Sequence, residues 1–205
     1  MVKNKDCFET YSPPDATFSS YHADYHNPAI TTPSATDKEC WAAAKITDPG
    51  DPSYDAANPF GVARTAWLQM DTGSIRTIVG VATQARGGDK LQWVETFEVF
   101  VCSAVCMNWP GDWTPVLAPG DGLIFAGNFE DGDSVVRNDF AAPVSARFVR
   151  IVPVTYQVWM SMRAGVYIAC NFFEQEGILR KRDDCICFFS LGISEPVGLL
   201  IKARS

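Results

Sequence analysis

The sequence predicts an all-β protein, a sandwich or barrel of short strands joined by turn-rich loops. Helical periodicity is nearly absent along its 205 residues. Short runs of β-branched and aromatic residues recur instead, and the 15 glycines and 13 prolines fall mostly between them. These observations favour strands that end at frequent turns.

The clearest strand lies at 95–101, where Phe97, Val99 and Val101 alternate with residues of the opposite face. Four further segments have the same strand character; they are 77–83, 123–127, 145–154 and 165–169. Two long connections, 21–40 and 47–65, come before these strands in the sequence. Loops of that length are usually functional or disordered.

Charge restricts the class of ligand. The formal net charge is −7, and an acidic chain repels phosphate backbones and anionic lipid surfaces. We therefore expect no nucleic-acid partner, and we rank a membrane lipid below a glycan or protein. The chain has no apolar run of about eighteen residues, the length of a membrane-spanning helix. Its first fifteen residues lack the apolar run of a signal peptide.

Seven cysteines point to an oxidising compartment. No Cys-x-x-Cys pair occurs and only two histidines are present, so the spacing of a zinc site is not met. Cys102 and Cys106 stand four apart around a turn, which allows them to pair. Because seven is odd, at least one cysteine is unpaired or bonds between chains.

Catalytic and metal sites have little support. Ser134 lies in a Gly-Asp-Ser triplet, but no histidine follows His26 in the sequence to act as its base. We prefer an exposed loop for His22 and His26, with ligand contact second and a metal site third. The acidic stretches 48–51 and 130–133 are interpreted as solvated turns. The sequence predicts no enzyme and no cofactor, and a structural calcium stays open.

Several motifs resemble the discoidin family, also called the coagulation factor V/VIII type C domain. They are Ala-Trp-Leu-Gln-Met-Asp-Thr-Gly (66–73), Thr-Gln-Ala-Arg (83–86), Gln-Trp-Val (92–94), Phe-Ala-Gly-Asn (125–128), Ala-Arg-Phe-Val-Arg-Ile-Val-Pro (146–153) and Ser-Met-Arg (161–163). Their order and spacing are more specific than any one of them. The resemblance implies an antiparallel jelly-roll β-sandwich closed by a Cys7–Cys170 disulfide, with Cys40 left over beside Trp41.

The resemblance runs from Cys7 to Cys170, and the composition changes after Cys170, so we place a domain boundary there. Residues 1–6 are expected to be an N-terminal tail, residues 7–170 the discoidin-like domain, and residues 171–205 a disordered C-terminal tail. The tail carries a basic triplet at 180–182 and then an apolar run too short to span a bilayer.

The tryptophans divide into two predicted groups. Trp41, Trp67 and Trp93 are expected in the core, whereas Trp109 and Trp113 flank a turn and are expected to be half exposed. In the resembled family, the connection that contains Tyr156 and Trp159 lies at the binding end of the sandwich. An aromatic ring there could stack on a sugar, and packing in a satellite core cluster is an equal alternative.

We predict that loops 21–28, 86–92 and 155–160 meet at that end. Arg86 offers a fork of donors for carboxylates or hydroxyls, unless it pairs with Asp89 in its own loop. The full set of predicted ligand-binding residues is His22, Asp24, Tyr25, His26, Arg86, Asp89, Tyr156 and Trp159.

The resulting hypothesis is a non-catalytic extracellular adhesion module that binds a glycan or an extracellular protein. The first loop, 22–28, is polar and lacks adjacent tryptophans, and the chain is acidic; both features disfavour a phospholipid ligand. Two alternatives remain. The domain could bind a membrane surface, or it could be a structural spacer in a larger extracellular protein.

Overall fold

The structure is a computed structural model. It describes residues 8–11, 18–21, 23–25, 40–43, 45, 49, 56–57, 66–87, 91–129, 134–169, 172–175 and 178–181. These residues contain twelve strands and no helix. The strands are β1 (Phe8–Tyr11), β2 (Phe18–Tyr21), β3 (Ala23–Tyr25), β4 (Trp41–Ala43), β5 (Trp67–Gln84), β6 (Trp93–Cys102), β7 (Thr114–Pro115), β8 (Phe125–Ala126), β9 (Val135–Gln157), β10 (Ser161–Ala169), β11 (Phe172–Gln175) and β12 (Ile178–Lys181).

Ten strands form one antiparallel hydrogen-bonded network in the order β3-β4-β10-β5-β9-β6-β7. Strand β1 pairs with β10, β2 with β5, and β8 with β6 at its sides. The predicted all-β antiparallel architecture is confirmed. Strands β11 and β12 pair only with each other, in a hairpin that the expectation of a disordered tail did not include. The domain limits 1–6, 7–170 and 171–205 stay predictions.

Strands β5 and β9 both bend, and this turns one network into two layers. The register between them shifts between Asp71 and Arg76 and again between Ile78 and Gly80. At the first shift, Asp71 accepts a bond from the Gly73 amide, and Gly73 takes a φ of 75°. That left-handed conformation suits glycine. The Asp-Thr-Gly end of the 66–73 motif is therefore a bend inside a long strand.

An ion pair fixes this bend. The guanidinium of Arg147 donates to Asp71 through Nε and Nη2, with both distances 2.7 Å. The bidentate bond and the Gly73 amide hold the pKa of the Asp71 carboxyl below its ordinary value. The same bond raises the pKa of Arg147.

One apolar cluster fills the space between the layers. It combines Leu68 and Met70 from the first half of β5 with Val81 from its second half, and Phe97 of β6 with Val166 of β10. Since β6 and β10 are not bonded neighbours, they pack face to face across the core. This arrangement is the predicted sandwich.

The Phe-Ala-Gly-Asn motif docks a loop onto β6. Phe125 stacks on Phe97 in the core with ring centroids 5.6 Å apart. A Cβ on Gly127 would clash with the Val94 carbonyl oxygen, so only glycine fits there. Asn128 is buried, and its side-chain amide donates to the Ser134 carbonyl at 2.8 Å.

The cysteine and tryptophan predictions have mixed outcomes. Cys102 and Cys106 form the predicted disulfide, with Cα atoms 6.2 Å apart. Trp41, Trp93 and Cys40 are buried as expected, whereas Trp67 is only half buried. Trp109 is half buried as predicted.

The half-exposed position predicted for Trp113 is wrong, because this residue is 6% exposed. Its ring packs edge-on against Trp109, 5.9 Å away between centroids, and it belongs to a second buried cluster with Phe100 and Val152.

Cys7 and Cys170 lie outside the described residues. Their nearest described neighbours are Phe8 and Ala169, which stand opposite each other in the antiparallel pairing of β1 with β10. The Cys7–Cys170 disulfide remains a prediction.

Candidate functional site

Five chain segments meet at one end of the sandwich, called here the loop end. They are the ends of β4 and β5, the start of β6, the end of β9 and the start of β10. Backbone pairing brings them together: Trp93 stands opposite Gln157, and Arg163 opposite Gln84. Ser161 stands opposite Ala42 in the same way. Loops 86–92 and 157–160 therefore emerge side by side.

Arg86 begins the first of these loops and is tied to its far side. Its backbone amide donates to the Gln92 carbonyl at 3.2 Å, and its Nη1 donates to Gln92 Oε1 at 3.1 Å. Gly87 follows with a φ of 81°, which lets the chain turn sharply. Arg86 is only partly buried.

A buried arginine supports this loop from below. Arg163 has no exposed surface, and its Nε donates to the Ala85 carbonyl at 2.8 Å. Ala85 directly precedes Arg86, so the bond fixes the point where β5 ends. Arg163 is the arginine of the Ser-Met-Arg motif and was not among the residues predicted from the sequence.

The second loop contains a strained turn. Val158 has a φ of 59°, which a β-branched residue rarely adopts. The Trp159 amide donates to the Gln157 carbonyl at 2.6 Å across it, forming a tight γ-turn. Strain of this kind is often found at functional sites, where the surrounding structure holds it.

The turn folds Trp159 back against the sandwich. Its Nε1 donates to the Ala43 carbonyl at 2.9 Å, and part of the ring packs against the main core. Lys45 Nζ lies over the ring, 4.4 Å from its centroid. Trp159 therefore packs against the core and also forms a cation–π contact with Lys45.

Tyr156 lies in β9, three residues before Trp159. It stands opposite Val94, is half buried, and packs against the main core. Burial raises the pKa of its phenol above the ordinary value. The group stays neutral at physiological pH and can donate or accept a hydrogen bond.

The remaining predicted ligand-binding residues are less fully placed. Asp24 and Tyr25 belong to β3, of which the backbone is described, and Tyr25 stands opposite Ala42 of β4. The end of β3 thus reaches the same region as Trp159. His22, His26 and Asp89 lie outside the described residues, as does the acidic stretch 130–133.

Two exposed apolar side chains also sit at the loop end. Leu91 is 59% exposed in the first loop, and Val158 is 65% exposed at the tip of the second. The sequence analysis considered only the loop at 22–28 for such tips. Single exposed leucines and valines carry no signal in a sequence, because burial depends on neighbours from other strands.

A second cation–aromatic group lies on the outer face of the sheet, beside the far end of β6. Arg150 of β9 is 6% exposed. Its guanidinium carbon lies 3.7 Å from the ring centroid of Trp67, 4.0 Å from that of Trp113 and 4.6 Å from that of Trp109. We call Arg150 and these three tryptophans the arginine cage.

Residues 103–113, here the cover loop, close the cage. The backbone amide of Asn108 donates a hydrogen bond to Asp112 Oδ2 at 2.8 Å and stabilises the turn of this loop. The Cys102–Cys106 disulfide closes the start of the loop. Gln69 Oε1 accepts from Arg150 Nε and Nη2, whereas Nη1 has no hydrogen-bond partner within the described part of the chain. Burial lowers the pKa of Arg150 to about 10, so it remains a cation at neutral pH.

Metal and membrane features are absent from the described ranges. There, no group of three or more His, Cys, Asp or Glu side chains is placed to hold a metal ion. The described chain also contains no helix long and apolar enough to cross a bilayer.

Comparison with known proteins identifies related domains. Neuropilin-1 of Mus musculus is 33% identical over 122 residues, which make up 58% of this chain and 12% of that protein. Lactadherin of Bos taurus is 36% identical over 104 residues, 47% of this chain and 22% of that protein. The matches thus span less than a quarter of these relatives.

Solved structures show the same fold. Wild-type discoidin II from Dictyostelium discoideum superposes with a TM-score of 0.50 and 21% identity, covering 82% of this chain and 60% of that chain. The family 32 CBM from C. perfringens NanJ, in complex with galactose, gives a TM-score of 0.50 and 16% identity, covering 78% and 98%. The family model described as F5/8 type C domain matches residues 29–166, which is more than half of the sequence. The chain belongs to the F5/8 type C domain family.

Proposed function

We propose that this domain is a non-catalytic extracellular binding module that recognises a glycan or an extracellular protein at the loop end. The observation that carries the proposal is the contact of Lys45 with the Trp159 ring, beside a strained turn and at the end of the sandwich where Arg86 also lies. Functional residues are often held on loops by such a scaffold. Relatives from the same family, neuropilin-1 and lactadherin, support a binding role.

Arg86, Tyr156 and Trp159 are the described residues that we assign to the ligand. Arg86 supplies donors, Tyr156 a neutral hydroxyl and Trp159 a ring face for stacking. We assign the same role to five further residues from the sequence, namely His22, Asp24, Tyr25, His26 and Asp89. The galactose complex of the fold relative makes a sugar the first ligand class to test.

One observation favours a second candidate, binding to a phospholipid surface. Leu91 and Val158 are exposed apolar side chains at the loop end, where Arg86 and Lys45 also lie. Apolar groups can enter the headgroup region while basic groups meet anionic lipids. The net charge of −7 opposes this approach.

A glycan array and a vesicle sedimentation assay would separate the two candidates. The vesicles would contain phosphatidylcholine with or without phosphatidylserine. We expect Arg86→Ala to weaken binding to the selected ligand by about tenfold, the effect of losing a hydrogen bond from a charged group. Arg76→Ala removes the same charge far along β5, where Arg76 pairs with Ala146, and should leave binding unchanged.

Arg86→Ala is a cleaner variant than Trp159→Ala. Trp159 also packs on the core and bonds to Ala43, so its removal would disturb the fold as well as the site. Equal binding by wild type and Arg86→Ala, at equal thermal midpoints, would place the ligand elsewhere on the domain.

A further inference from the structure

Lys45 occupies the place where a stacked ligand would lie. Its Nζ sits 4.4 Å from the ring centroid of Trp159, and another part of that ring packs against the core. A sugar that stacks on the solvent side of this ring must first displace the ammonium group. A cation over an indole face is an attractive contact, so the displacement opposes binding of a neutral sugar.

Within the described part of the chain, neither Lys45 nor Arg86 has a carboxylate partner. In the part of the chain that the structure describes, the ion pairs are Arg137–Asp139 and Arg147–Asp71, and neither includes Lys45 or Arg86. Arg86 is bonded to the neutral side chain of Gln92, and Lys45 to an indole ring. Glu95 lies near the start of β6, yet it forms no ion pair with either cation there.

Lys45 and Arg86 place positive charge at the loop end of an acidic chain. The chain carries 24 acidic and 17 basic residues, and within the described ranges neither of these two cations is in an ion pair. Their local positive potential would attract an anionic group, and the rest of the surface would repel a large anionic body. This combination fits separate carboxylates on a flexible polymer better than a continuous charged surface.

From these observations we infer that Lys45 makes the loop end selective for carboxylate-bearing glycans over neutral ones. This inference rests on the proposed function of the loop end. With an acidic sugar, the ammonium swings from the Trp159 ring to the carboxylate, and Arg86 on the other connection of the loop end adds to the positive charge there. With a neutral sugar, the ammonium only competes for the ring. Selectivity therefore arises from a repulsive as well as an attractive element.

The test uses one polymer in two charge states. Polygalacturonate carries a carboxylate on each sugar, and its fully methyl-esterified form has the same backbone without charge. Binding of the wild-type domain to both would be measured by affinity electrophoresis and titration calorimetry. We expect tighter binding to polygalacturonate, weakening as salt is raised, because charge pairs at the surface are screened.

Lys45→Ala should change the two affinities in opposite directions. Binding to polygalacturonate should weaken by about threefold to tenfold, and binding to the esterified polymer should strengthen by about twofold to fivefold. Lys45→Arg keeps the charge and should keep the preference. Arg76→Ala lowers the net charge equally, at a position far along β5, and should change neither affinity.

The outcomes separate this inference from the proposed function. If the wild type binds both polymers equally and Lys45→Ala changes neither, the loop end still binds glycans but Lys45 does not select among them. If neither polymer binds and the domain sediments only with phosphatidylserine vesicles, the occupant is a membrane and the inference is wrong. A parallel loss of both affinities in Lys45→Ala would assign Lys45 a supporting role for Trp159 and would also overturn it.

Discussion

Cations lie against tryptophans in two regions of the molecule. In the arginine cage, Arg150 is enclosed by three indoles and is 6% exposed. At the loop end, Lys45 lies on one indole and is exposed. The buried cation has lost its water and depends on its neighbours, which is reflected in its lowered pKa. The exposed cation stays in contact with water, and our proposal is that it exchanges its aromatic partner for a ligand. The same kind of contact is therefore buried in one region and open to solvent in the other.

The largest effect should come from emptying the cage. We expect Arg150→Ala to lower the free energy of unfolding by about 3 kcal/mol. The substitution leaves a cavity among three indoles and removes both hydrogen-bond donors of Gln69 Oε1. Arg150→Met fills most of that space without a charge and should cost less. Lys45→Ala should shift stability by less than about 0.5 kcal/mol, because it removes an exposed group. Urea unfolding of the three variants would test the comparison. Equal losses in Arg150→Ala and Lys45→Ala would contradict it.

The cage should also depend on the disulfide that anchors its cover loop. The Cys102–Cys106 bond closes a short loop, so its replacement in Cys102→Ser/Cys106→Ser should cost about 2 kcal/mol through unfolded-state entropy. The environment of Trp109 and Trp113 should change with it, because the cover loop places both rings on Arg150.

Tryptophan fluorescence and thermal unfolding of this double variant would be compared with those of the wild type. Binding at the loop end should be the same in both proteins. A loss of ligand affinity in the double variant would mean that the two regions are coupled.

At the loop end, the strained turn offers a smaller test. Val158 holds a φ of 59°, and Val158→Gly should relieve strain enough to offset the entropy that glycine loses on folding. We expect the free energy of unfolding to stay unchanged or to rise by up to about 1 kcal/mol, which means that the variant is as stable as the wild type or more stable. Val154→Gly is the matched control, since Val154 is exposed within β9 and should lose about 1 kcal/mol. Calorimetric melting of both variants gives the answer, and equal destabilisation would show that Val158 is not strained.

The smallest effect concerns acid. The pKa of Asp71 is lowered in the folded state, so its ion pair contributes stability above the unfolded pKa of about 4. That contribution is lost as pH falls through the lower, folded pKa. Asp71→Asn should reduce stability slightly at pH 7 and flatten the acid side of the stability curve. Melting temperatures of the two proteins from pH 7 to pH 2.5 should converge on the acid side; curves that stay parallel would remove Asp71 as the cause.

The sequence by itself determined the strand architecture and the family. Alternation at 95–101 and the motifs at 66–73, 83–86 and 125–128 record constraints on the backbone, such as the Gly73 bend within one strand and the close approach of Gly127 to Val94 of the neighbouring strand. A β-strand pattern needs only the residues of its own strand. The Cys102–Cys106 disulfide was predictable for the same reason, because it closes over four positions of one turn.

Only the tertiary structure decided which side chains meet. Trp113 flanks a proline and glycine turn, which suggests exposure, yet the cover loop lays it on Arg150 from a strand almost forty positions later. Lys45 and Trp159 are separated still further in sequence and meet because β4 pairs with β10. Nothing in a lone lysine or arginine states whether its charge will be solvated, caged or paired, since that depends on the strands beside it. The sequence therefore determined the scaffold, and the crossing of distant strands determined the two cation–tryptophan groups.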